Sequence, residues 1–82
     1  MFLHSYYLVY PEGETQEISN RLGFNMLVDM NGNPLQLPLR SHRTIVYRIY
    51  KVQENEKRGE KETFYHLELV KGEELFRLTE SP

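Results

Sequence analysis

The fold is decided by residues 44–70, which read TIVYRIYKVQENEKRGEKETFYHLELV. Aromatic and β-branched residues fill both ends of this stretch, and its charged middle contains Lys57-Arg58-Gly59. This composition predicts two strands joined by a tight turn, because Gly supplies the positive φ that such turns need. We therefore expect a long β-hairpin over about residues 44–70.

A three-residue loop centred on Arg58 sets the expected register of this hairpin. It places Ile49 opposite Leu67 on one face and Arg48 opposite Glu68 on the other. A slip of one residue would set Arg48 against Leu67, so the residue pattern and the turn agree on the register. We expect one apolar core face and one aromatic and charged face. The same register pairs Tyr47 with Leu69, Lys51 with Tyr65, Tyr50 with His66, and Val52 with Phe64.

Two shorter hairpins are expected before the long one. Residues 2–18 contain Pro11-Glu12-Gly13 between apolar runs, which is typical of a three-residue hairpin loop. Residues 26–37 contain Asn31-Gly32, the preferred sequence for a two-residue type I′ turn. Prolines in the second half of this hairpin predict an edge or irregular strand. The expected pairs are Val28 with Leu35 and Met26 with Leu37.

The remaining segments complete a mainly β chain. Residues 19–24 lack periodicity and are expected to form a loop. Residues 72–78 fit either a further strand or a short helix, and we favour the strand. The sequence predicts an all-β fold, a small antiparallel barrel or strongly bent sheet of six to seven strands, in one domain over residues 1–82.

Composition narrows the classes of function. The 82 residues carry a net charge of −2 and no cysteine, which excludes disulfides and thiolate chemistry. Residues 1–10 are apolar but lack a basic leader, so we expect a cytoplasmic protein with no membrane association. No phosphate-binding glycine loop or nucleophile elbow is present, and we expect no cofactor and no enzymatic activity.

Potential metal ligands are better explained by structure. Asp29, Asn31 and Asn33 alternate as calcium ligands do, but the glycine falls at the fourth position rather than the sixth. A hairpin turn accounts for all three residues. The histidines are His4, His42 and His66, and no two have close ligand spacing. We therefore expect neither a metal site nor a catalytic residue.

The non-core face of the long hairpin is the leading candidate for function. Exposed aromatic and arginine side chains are typical anchors of protein interfaces. We expect a protein or peptide partner, or a second copy of the chain, to bind this face or an edge strand. The expected contact residues are Arg48, Tyr50, Phe64 and His66.

A nucleic-acid interface is the alternative. Residues 40–53 contain four basic residues and no acidic one, and basic side chains interleaved with aromatics suit single-stranded nucleic acid. The overall negative charge and the pairing of Arg48 with Glu68 count against it. The residues expected to carry it are Arg40, His42 and Arg43. A small-molecule pocket in a barrel mouth is a third, weaker hypothesis.

Overall fold

The computed structural model describes residues 3–40 and 43–79. The predicted mainly β fold is confirmed: five strands form a strongly curled half-barrel sheet. The prediction of six to seven strands was slightly too high, because residues 33–37 contribute one isolated bridge and residues 72–78 form a helix. The elements are β1 Leu3–Val9, β2 Thr15–Ile18, β3 Leu27–Val28, β4 Val46–Lys57, β5 Glu60–Val70 and α1 Gly72–Leu78.

The strand order β2-β1-β5-β4-β3 contains one parallel pairing. β1 and β2 form the expected antiparallel hairpin, and Gly13 takes the positive φ that its loop requires. β3 lies at the opposite edge of the sheet from β2, so the chain crosses between them and leaves β1 beside the last strand. β1 therefore runs parallel to β5, with Tyr7 beside Phe64.

The long hairpin is confirmed, but its tip and half of its register differ from the prediction. Arg58 and Gly59 both have positive φ and form a two-residue turn instead of a three-residue loop. A β-bulge at Tyr50 absorbs the one-residue difference. On the side of the bulge away from the tip, the predicted pairs Tyr47–Leu69, Arg48–Glu68 and Ile49–Leu67 are confirmed. Between the bulge and the tip, the first pairs are Lys51–His66, Val52–Tyr65 and Gln53–Phe64. The three pairs predicted for residues 50–52 were therefore wrong.

One face of the sheet, here called the inner face, holds the larger core. Ile49 and Leu67, paired as predicted, are buried here beside Leu8 of β1. Tyr65 is also buried, and its hydroxyl accepts a hydrogen bond of 3.0 Å from the Leu22 amide. That bond ties the loop of residues 19–24 to the sheet and satisfies a buried N–H group.

A second core lies on the opposite, outer face, which the sequence predicted to be aromatic and charged. Val46 and Val70 are paired on this face and buried against Leu39. α1 covers them with Leu75 and Leu78, three residues apart on one side of the helix. The favoured strand over residues 72–78 was therefore wrong, because its leucines follow the helical spacing.

The Asn31-Gly32 turn is also wider than predicted. Only Gly32 has positive φ, and Val28 bridges to Pro34 rather than pairing with Leu35. The carboxylate of Asp29 accepts hydrogen bonds from the backbone amides of Asn31, at 2.8 Å, and Asn33, at 2.9 Å. The side chain thus replaces part of the ladder, as expected of an Asx turn.

Candidate functional site

The strand pleat places three of the four predicted contact residues along one line of the outer face. Arg48 lies beside the second core, and Phe64 and His66 follow away from it along β5. Tyr50 is the bulged residue of β4, and its ring centroid lies 6.3 Å from that of His66. The fold therefore brings the predicted set together on one face, although Tyr50 and His66 are not a ladder pair.

Arg48 is engaged within the chain. Its guanidinium forms ion pairs with Glu74 of α1 and, at 3.4 Å, with Glu68 of β5. These contacts fasten the helix to the sheet and neutralise the arginine charge locally. A role for Arg48 in contacting a partner stays a prediction. In this fold its ion pairs hold α1 against the sheet.

Tyr7 is the residue of this surface that sequence reasoning missed. Its ring stacks on Phe64 with centroids 5.2 Å apart and planes inclined by 18°. The two residues meet through the parallel β1–β5 pairing, between strands more than fifty residues apart in sequence. No local pattern predicts that pairing. We name the surface formed by Tyr7, Tyr50, Phe64 and His66 the outer patch.

The outer patch is half open to solvent. Tyr50 is 48% exposed, and Tyr7, Phe64 and His66 are half-buried. Val9 extends it beside His66 in the β1–β5 ladder. Several aromatic rings on three adjacent strands offer a ligand both apolar area and polar edges.

Electrostatics at the outer patch favour a neutral His66. Partial burial and the charge of Lys51, its ladder partner, lower the pKa of the imidazole from its ordinary value. The ring nitrogen Nε2 lies 3.1 Å from Gln53 Oε1, which fixes the orientation of the ring. The patch therefore presents an uncharged imidazole at neutral pH.

Replacing Lys51 by Gln is expected to raise the pKa of His66. The substitution removes the cation that disfavours the protonated ring, whereas burial remains. Because the folded-state pKa lies below the unfolded value of about 6.5, the free energy of unfolding falls as the pH drops from about 6.5 to the folded-state pKa, and this group changes it no further below that point. NMR titration of the ring protons measures the shift. Lys57→Gln is the control, since Lys57 lies about 20 Å further along β4. If the pKa of His66 were the same in Lys51→Gln as in the parent, the charge of Lys51 would not be a cause of the low pKa.

The residues of the nucleic-acid alternative are only partly described. Arg40 is exposed and lines a groove of about 470 Å³ with apolar residues of the 35–39 segment. Arg43 is also exposed, and His42 lies outside the described residues. Neither arginine belongs to a strand.

Comparison with known proteins places the chain in a family. The model of the family described as "Uncharacterised Treponema protein" matches residues 2–78. The chain belongs to this family. Neither a curated protein nor a solved structure matches it.

A polar cluster on the inner face contains the histidine His4 and two hydroxyl groups. His4 Nε2 lies 3.0 Å from Thr63 Oγ1, and His4 Nδ1 lies 3.2 Å from the Tyr6 hydroxyl. Thr63 is only 4% exposed, so its hydroxyl is not presented to a substrate. The contacts satisfy a buried polar side chain, as packing requires.

Residues 3–40 and 43–79 offer neither a cluster of metal ligands nor a membrane-spanning helix. They contain no group of three or more His, Asp or Glu side chains placed to hold a metal ion. At Asp29, burial raises the carboxyl pKa, but hydrogen bonds from Asn33 and Asn31 outweigh it and lower the pKa overall. No helix in these ranges could cross a bilayer, since α1 has seven residues.

Proposed function

We propose that the chain is a non-catalytic module that binds a protein or peptide partner through the outer patch. The observation that carries the proposal is the bulge at Tyr50. It takes the ring out of the regular ladder and leaves it 48% exposed beside His66. β-bulges commonly re-aim a side chain next to a functional surface.

The composition of the outer patch supports this role. Tyrosines are over-represented among the residues that dominate binding energy, because they bury a large area and keep a polar tip. The stacked Tyr7–Phe64 pair gives the patch a rigid centre. A rigid centre loses little side-chain entropy when a partner binds.

The edge strands are weaker candidates than the outer patch. β3 pairs with β4 only at Arg48 and Tyr47, so the distal part of β4 is an edge of the sheet. That part carries Lys51, Glu54, Glu56 and Lys57. Charged residues on an exposed edge discourage pairing with another strand. We therefore assign recognition to the face.

The test is selection of a random peptide library on the immobilised chain, followed by affinity measurements on variants. We expect enriched peptides to bind Tyr50→Ser about thirtyfold more weakly or worse, because an anchor aromatic typically contributes about 2 kcal/mol or more. Phe24→Ser is the matched control, since Phe24 is 70% exposed and lies outside the outer patch. Both variants should keep the parent circular dichroism spectrum.

Two results would count against the proposal. One is a library that yields no peptide above the background of the bare matrix. The other is an equal loss of affinity in Tyr50→Ser and Phe24→Ser, which would mean that any exposed aromatic holds the peptides.

A further inference from the structure

We propose that the partner of the outer patch is a basic peptide, with a lysine or arginine side chain seated between Tyr7 and Glu17. This inference rests on the proposed function of the outer patch and adds the charge of its ligand. It is carried by the neighbours of Tyr7 in the ladder, which are a second aromatic ring on one side and a carboxylate on the other.

The two sides of the Tyr7 ring differ. Towards β5 the ring stacks on Phe64 at 5.2 Å. Towards β2 its ladder partner is Glu17, which is exposed. Side chains directly opposite in an antiparallel pair have Cβ atoms about 4.5–5.5 Å apart. A cation above this pair would meet the face of an aromatic ring and a carboxylate together, and both attract it.

A second carboxylate lies next to the stacked pair. Glu62 precedes Phe64 by two residues and so points to the same face, opposite Ser5 of β1. Its Oε1 atom accepts a hydrogen bond of 3.5 Å from the side-chain nitrogen Nδ2 of Asn55. Glu17 and Glu62 therefore flank the Tyr7–Phe64 stack, and they leave this side of the patch with negative potential.

The positive groups around the outer patch are distant from Glu17 or neutralised. Lys51 lies on β4, three strand spacings from Glu17, or about 14 Å. That separation exceeds the screening length of about 8 Å at physiological salt. Arg48 is paired with two glutamates, and burial and Lys51 keep the pKa of His66 low. A basic side chain at Glu17 therefore meets little repulsion.

The charges beside the Tyr7 ring favour a basic peptide over a second copy of the chain. Two copies that met through this surface about a two-fold axis would place the same patch of each copy together. Glu17 and Glu62 of one copy would then approach the same carboxylates of the other, and like charges in an interface are unfavourable. A basic peptide complements both carboxylates.

The experiment compares two capped pentapeptides, Gly-Arg-Gly-Arg-Gly and Gly-Glu-Gly-Glu-Gly, by NMR titration of the amide signals. The arginine peptide is expected to shift Tyr7, Glu17 and Phe64 with a millimolar Kd, and the glutamate peptide is expected to shift none of them. Glu17→Gln should raise the Kd for the arginine peptide about two- to fivefold, the range of an exposed ion pair. Glu56→Gln removes the same charge from the opposite face and should leave the Kd unchanged.

Three outcomes of this titration would overturn the inference. They are the absence of shifts at these residues with the arginine peptide, equal binding of both peptides, and equal weakening by Glu17→Gln and Glu56→Gln. Peptides selected on the outer patch that lack basic residues and ignore Glu17→Gln would also overturn it. In that last case the proposed function would stand, so the two failures are distinguishable.

Discussion

Gly32→Ala is expected to destabilise the chain by about 2–5 kcal/mol. Gly32 is buried with φ +84°, and an added Cβ atom would lie 2.6 Å from Leu8 Cδ1. Leu8 is fully buried and has little room to move. Positive φ costs a non-glycine residue about 1–2 kcal/mol, and overpacking a core adds about 1–3. Urea denaturation measures the loss as a lower midpoint at unchanged slope.

Gly13→Ala separates the two contributions. Gly13 also has positive φ, at +100°, but a Cβ atom there would have no neighbour within 4 Å. The control should lose only the backbone term, about 1–2 kcal/mol. If both variants lose the same free energy of unfolding, the close approach of Gly32 to the buried Leu8 side chain would be contradicted.

Deletion of Tyr50 and deletion of Thr63 are expected to differ greatly in their cost to stability. Without Tyr50 the ladder runs from Ile49–Leu67 directly to Lys51–His66, and each remaining residue keeps its face. The free energy of unfolding should change by no more than about 1 kcal/mol, the span of strand preferences. Thermal and urea unfolding of both deletion variants provide the measurement.

Deletion of Thr63 removes a residue from the central strand. Glu62 would move into its buried position opposite Tyr6 of β1 and Glu54 of β4. Burying an unpaired carboxylate beside another one should cost at least about 4 kcal/mol, enough to unfold much of the population. Severe destabilisation by the Tyr50 deletion would show that the bulge is needed for the sheet itself, not merely for the exposure of its ring.

The long hairpin was predictable because its two strands and its turn are adjacent in the sequence. Alternation around Ile49 and Leu67 is confirmed as the core face, and the charged, glycine-containing tip is confirmed as the turn. The sequence Arg58-Gly59 does not by itself distinguish a two-residue turn from a three-residue loop. Because the bulge at Tyr50 adds one residue to β4, the pairs of residues 47–49 keep the predicted register, whereas the pairs from Lys51 to the tip are shifted by one residue.

The outer patch was only partly predictable. Phe64 and His66 follow from strand alternation alone, whereas Tyr7 depends on a parallel pairing between the first and last strands. The second core was missed for a related reason. Val46 and Val70 read as the ends of a hairpin, and only the helical placement of Leu75 shows what covers them.

The central claim, that the outer patch is the binding surface, is tested most directly by NMR shift mapping with the tightest selected peptide. The largest amide shifts should fall on Tyr7, Tyr50, Phe64 and His66. The mapping covers the whole chain, so it also reports on the β4 edge and on Arg40 and Arg43. Shifts confined to the edge over residues 51–57, or to the two arginines, with the outer patch unchanged, would contradict the claim.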